Sequence, residues 1–188
     1  MATIVLLVVI AAIVLWVIGA YNGLIGLKNQ VANAWKQIDV QLKRRHDLIP
    51  NLVNTVKGAM EFERGTLEQV ISARNKAVGA TGVHQTAQAE GELTQALGRL
   101  FALTEAYPDL KATGNVAQLQ EELTSTENKI GFARQLYNDV ATQYNTRQAT
   151  FPTMLVAGLA KATPAELWEI QDAAERGVPA VDLSMKRP

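Results

Sequence analysis

Catalysis and ligand capture need side chains that move protons, attack, or hold metal, and this chain offers few of them in workable spacing. It has no cysteine, which removes thiol nucleophiles, thiolate metal sites and disulfides. Its two histidines, His46 and His84, lie far apart, and neither has a carboxylate at metal-ligand spacing. His84 falls in a glycine-rich stretch. His46 stands among Arg44, Arg45 and Asp47 at what reads as a helix end, where a single imidazole is expected at the surface, favoured by the helix dipole. The rival reading is a sensor or hydrolase whose site, with His46 and nearby carboxylates, forms only between subunits. Glu61 and Glu63, like Glu121 and Glu122, are close in sequence, but such helix positions point in different directions, so no paired-carboxylate site is expected. No Ser-His-Asp order, phosphate-binding glycine loop or dinucleotide motif is present. No catalytic, cofactor-binding or metal-binding residue is assigned, and the expected protein is not an enzyme.

The elements that would carry these residues begin with an uncharged stretch. Met1 to Leu27 contains no Asp, Glu, Lys or Arg, and Thr3 to Ala20 is apolar on every side. A helix crossing the hydrocarbon core needs about 20 apolar residues at about 1.5 Å each. The stretch supplies that, so a transmembrane helix is expected, with Ile4, Leu7, Ile10, Leu15, Trp16 and Ile18 as anchor residues. A signal peptide cleaved after Ala20 is the weaker reading, because no positive charge precedes the apolar run. Lys28, Lys36, Lys43, Arg44 and Arg45 follow the span, which predicts an N-terminus outside and the remainder in the cytoplasm.

Beyond the span the apolar positions recur every three or four residues. Leu24, Leu27, Val31, Trp35, Ile38 and Leu42 make one stripe, so the membrane helix is expected to run on into the first cytoplasmic helix until Asp47-Leu48-Ile49-Pro50 stops it. A second helix is expected over 50–78 with Leu52, Val56, Ala59, Phe62, Leu67, Val70 and Ile71 inward, and a third from Thr86 to Tyr107. The longest soluble helix is expected over 115–149, with Leu119, Leu123, Ile130, Ala133, Tyr137, Val140 and Tyr144 buried. Short loops between such helices predict an antiparallel bundle. A final helix is expected at 164–176, from Thr163 as N-cap, Pro164 at the first position and Glu166 three residues after the cap. The tail follows Gly177.

The bundle places the charges. Lys43-Arg44-Arg45 would lie about 27 Å past the membrane exit, too far for a headgroup contact in physiological salt. They are expected to cap the first helix, with Asp39 pairing to Lys43, or else to meet a partner. Asp39, Gln41, Asn29 and Asn33 would either fix helix register or face water. Net charge is zero, with 18 basic and 18 acidic residues, which argues against nucleic acid as a partner.

Two blocks carry a resemblance: YNGLIGLKNQVANAWKQIDVQLKRRHDLIPNLVNTVKG at 21–58, and Tyr137-Asn138-Asp139-Val140, Tyr144-Asn145 and Phe151-Pro152 later. In them the chain resembles the LemA family of bacterial membrane-anchored helical proteins. The resemblance implies an N-terminal span followed by an antiparallel bundle and does not imply an enzyme activity. Relatives linked to magnetosome formation suggest a role in membrane organisation by analogy.

The expected protein is all-α, a single N-terminal transmembrane helix continuing into an antiparallel long-helix bundle. Residues 1–22 are the anchor, 23–162 the bundle, and 163–188 a C-terminal helix and tail. The apolar run from Phe151 to Ala160 is too short to cross a bilayer. It is expected either to plug the bundle's open end or, with Phe151, Met154, Leu155, Leu159 and Trp168, to form a contact surface. Its expected setting is a bacterial inner membrane. The expected partners are membrane lipid, further copies of the chain in a homo-oligomer, and an unidentified protein.

Overall fold

A computed structural model describes residues 1–58, 60, 63–107 and 114–169. Five helices appear among them: α1 (Ala2–Val56), α2 (Arg64–Gly79), α3 (Val83–Thr104), α4 (Gly114–Ala149) and the single turn α5 (Met154–Ala157). The all-α architecture, with an apolar N-terminal helix running into a bundle, is as the residue pattern implies.

α1 is one uninterrupted helix of 55 residues. Its first turns carry exposed apolar side chains, among them Ile4, Leu7, Ile10, Leu15, Trp16 and Ile18. From Leu24 onward its apolar stripe packs against α4, which runs antiparallel to it: Leu24 clusters with Tyr144, and Ala34, Ile38 and Leu42 with Ile130, Ala133, Tyr137 and Ala141. α4 has 36 residues, about 54 Å of helix, and matches in length the part of α1 beyond its bare apolar turns.

The helix does not stop at Pro50. A proline inside a helix withholds the N–H that residue i−4 would receive. Here the stranded carbonyl is that of His46, and Arg74 Nε of α2 donates to it at 3.3 Å. Pro50 itself is exposed, so its ring has room. The break falls instead after Val56, and the second helix begins at Arg64; the inward positions Ala59 and Phe62 lie outside the described residues. Ile71, expected inside, is 43% exposed.

α2 and α3 form a hairpin over the far half of α1. Ile49, Leu52, Val53 and Val56 meet Leu67, Val70, Leu93, Leu97 and Leu100 there, with Val116 and Leu123 of α4 closing the fourth side. The other half is built on α1 and α4, with the first turns of α3 (Val83, Ala87) and Ala157 of α5 against them, and its groove is filled by an irregular strap, 162–169.

The strap replaces the final helix expected from Pro164: none forms through Glu169, and 170–176 lie outside the described residues, as does the tail after Gly177. Trp168, expected on a contact surface, is buried instead at 4% exposure. Its companions Phe151, Met154, Leu155 and Leu159 are exposed.

Candidate functional site

Two neighbouring features concentrate the buried polar groups. The first ties α1 to α3 and α4. Glu90 of α3 is enclosed and accepts from Arg45 Nη1 at 3.1 Å and from His46 Nε2 at 2.6 Å, one bond on each carboxylate oxygen. A carboxylate only accepts, so Nε2 carries the hydrogen. Arg45 Nη2 donates to Thr94 Oγ1 at 2.8 Å, and Thr94 in turn donates to the Glu90 carbonyl. Glu127 of α4 brings Oε2 within 2.9 Å of Arg45 Nη1, an ion pair off the N–H direction. Arg44 reaches Glu122 at 3.8 Å on the surface.

His46 and the basic run therefore stand differently from their sequence reading. His46 is buried, because α1 continues through it and α3 covers it. Arg45 is a mid-helix ion-pair centre rather than a cap. Lys43 bonds Asp47 at 2.6 Å, one turn ahead, which holds the exposed Asp47 carboxyl below the usual carboxylate range. Asp39 is shifted upward by burial. His84 sits in the first turn of α3, on the exposed side.

The second feature is the strap's seat on α4. Asn145 Nδ2 donates to the Ala165 carbonyl and its Oδ1 accepts from Ala165 N–H, both at 2.8 Å. Asn138 does the same for Trp168, at 2.9 and 2.8 Å. Seven helical residues advance about 10.5 Å and three residues of extended chain about 10 Å, so two asparagines seven apart meet strap residues three apart. Tyr137 Oη adds a bond to the Glu166 carbonyl at 2.7 Å. Burial and the Glu166 charge raise the Tyr137 hydroxyl above its ordinary range, which keeps it a donor.

These bonds explain the missing helix. They occupy the C=O of Ala165 and both the N–H and C=O of Trp168, which helical turns would need, and the indole is buried in exchange. Trp168 lies 6.0 Å from Trp35, centroid to centroid; Trp35 meets Tyr137 edge-on at 5.4 Å, and the Arg134 guanidinium sits 5.7 Å over the Trp168 ring. A cavity of about 480 Å³ separates this indole from the Arg45–Glu90–Glu127 cluster.

As chemistry, the cluster is a brace. Both oxygens of Glu90 are taken, and the Thr94 hydroxyl beside it is engaged too, accepting from Arg45 and donating to the Glu90 carbonyl. Among the described residues, no group of three or more His, Asp or Glu side chains is placed to hold a metal ion. A further cavity, about 720 Å³, lies between α1 and α2 at the far tip, where its polar residues Asn54, Lys57, Arg64 and Glu68 are solvent-exposed.

The family model described as the LemA family matches residues 34–183, which include the brace, both asparagines and the strap. The chain belongs to the LemA family. The match begins beyond the apolar opening of α1, so the LemA signature lies in the bundle and its strap. Protein LemA of Metamycoplasma hominis is 30% identical over 142 residues, 74% of this chain and 64% of that protein. Magnetosome protein MamQ 2 of Paramagnetospirillum magneticum is 22% identical over 181 aligned residues, 82% of this chain and 66% of the relative. Magnetosome protein MamQ of Magnetospirillum gryphiswaldense is 22% identical over 158, covering 70% and 58%. This LemA chain thus spans less than two thirds of the length of each of these three relatives.

Sequence reasoning had one signal for the strap's seat, the repeated Tyr-Asn at 137–138 and 144–145. For Glu90 and Thr94 it had none.

Proposed function

We propose that this LemA-family chain is a non-enzymatic scaffold anchored in a bacterial inner membrane, with its N-terminus outside and its bundle in the cytoplasm. One observation carries the reading: a single helix holds both the bare apolar turns and the spine of the bundle. Any tilt of the span is thereby passed to the cytoplasmic rod. The basic residues that follow the span agree with the orientation.

The α1–α4 pair has one groove filled by the strap and the other open. Val40, Phe132 and Leu136 are exposed on the open side at 63%, 73% and 43%, and Gln41 Oε1 lies buried there without a hydrogen-bond partner. This face is where further copies of the chain, or a protein partner, would dock. Anchored chains meet at high local concentration, so modest contacts suffice. The relatives named as magnetosome proteins lend analogy to a role in membrane organisation.

The test is the mass of the full-length protein in detergent by size-exclusion with light scattering. An oligomer that Phe132→Asp reduces to monomer is the expected result. A monomer at every concentration would overturn self-association.

A further inference from the structure

α4 runs back toward the membrane, and what it delivers there is apolar. The pairing that sets Leu24 beside Tyr144 brings the last turn of α4, one turn further on, to the level of Ala20. A hydrocarbon core about 30 Å thick takes up about 20 residues of helix, so a span opening at Thr3 leaves the core near Asn22. The turn after α4, α5 and the residues behind it therefore lie at the membrane boundary. Ala157 and Ala160 pack on Leu24 and its neighbours, fixing the segment against α1.

The opposite side of this segment is bare. Phe151, Met154, Leu155 and Leu159 are exposed at 72%, 51%, 65% and 70%, beside a span with equally bare side chains. Charge points the same way. Met1 to Ile38 and Val140 to Ala165 contain no Asp or Glu, and their charged side chains are Lys28, Lys36, Arg147 and Lys161, all basic and all exposed. An apolar edge beside Lys28, Arg147 and Lys161, with no acid among them, matches the boundary between acyl chains and anionic headgroups.

We propose that Phe151 to Lys161 is a second membrane contact, a hook seated in the bilayer interface beside the span, with Phe151, Met154, Leu155 and Leu159 among the acyl chains. The occupant of this face is lipid. The hook rests on the anchor reading and adds to it: with two contacts, the bundle is held at a fixed azimuth to the membrane surface.

Because the chain has no cysteine, single-cysteine spin labels report one site each. Full-length protein carrying Leu155→Cys, Leu159→Cys, Leu7→Cys or Val78→Cys would be placed in phosphatidylglycerol-containing vesicles. Collision with oxygen, which concentrates in lipid, is compared with collision with a water-soluble nickel chelate. Labels at 155 and 159 are expected to match 7, several-fold more open to oxygen than to nickel, with 78 the reverse. Nickel access at 155 and 159 equal to that at 78, with 7 in lipid, would overturn the hook and leave the anchor. Shielding of 155 from both agents, with spin-spin broadening, would also overturn it, by showing a second copy on this face. Nickel access at 7 would remove the anchor and the hook together. All four positions are exposed outside the protein core, and circular dichroism of each variant confirms the helices.

Discussion

Asn145 holds Ala165 by both of its backbone groups, donating to the carbonyl and accepting from the N–H at 2.8 Å each, as a neighbouring β-strand would. Asn138 repeats the grip on Trp168, and between them the strap is fixed to α4.

Removing one grip orphans a half-buried N–H and C=O. Asn145→Ala should cost about 1–3 kcal/mol of strap docking and Asn138→Ala a similar amount. The double variant should free the strap while the bundle stays helical. Limited proteolysis between Lys161 and Glu169 should then accelerate, and the fluorescence difference between Trp168 and Trp168→Phe backgrounds should shrink. Unchanged cleavage would mean that the indole alone holds the strap.

The strap should also respond to alkali. Tyr137 donates to the Glu166 carbonyl only when protonated, and its pKa is raised above the ordinary 10.0 by burial and by Glu166. A group raised in the folded state stabilises fully below its unfolded pKa and loses that contribution as pH climbs through the folded one. Strap protection should therefore be flat up to about pH 10 and fall above it. Tyr137→Phe should abolish the alkaline step.

The buried brace gives a larger effect. Glu90→Ala would leave Arg45 without its enclosed partner, and losing one member of a buried pair costs about 3–5 kcal/mol. At about 2–4 °C per kcal/mol for a chain of this size, the bundle's melting point should drop by about 10 °C. Arg45→Met with Glu90→Leu should recover much of it. If Glu90→Ala melted like the parent, the pair would carry no stability.

Arg74 and Pro50 should be coupled. Arg74→Met removes the donor to the His46 carbonyl, and Pro50→Ala restores the intrahelical one. Arg74→Met should cost about 0.5–1.5 kcal/mol more in the parent than in the Pro50→Ala background. Equal cost in both would show that the carbonyl needs no substitute.

Much of the architecture was legible because helical periodicity is local. The stripe from Leu24 to Leu42 and that from Leu123 to Tyr144 turn inward as their spacing demands, with Leu27, Val31, Trp35 and Val140 half-buried and the others buried. What failed depended on distant residues. Pro50 reads as a stop until Arg74 is known to reach its stranded carbonyl. Thr163-Pro164 reads as a helix start until Asn138 and Asn145 claim the same backbone groups. His46 looked superficial because a helix end was assumed beside it, and Glu90, forty-four positions away, gives no hint in sequence that it waits there.

The account depends most on α1 being one stiff helix from lipid into the bundle. Spin labels at Leu15→Cys and Lys36→Cys, read by dipolar coupling with the full-length protein in nanodiscs, measure that directly. Twenty-one residues of continuous helix span about 32 Å, so a single narrow distance near that value is predicted. A broad or much shorter distribution would place a hinge at Gly23 or Gly26, uncouple the span from the rod, and contradict the account.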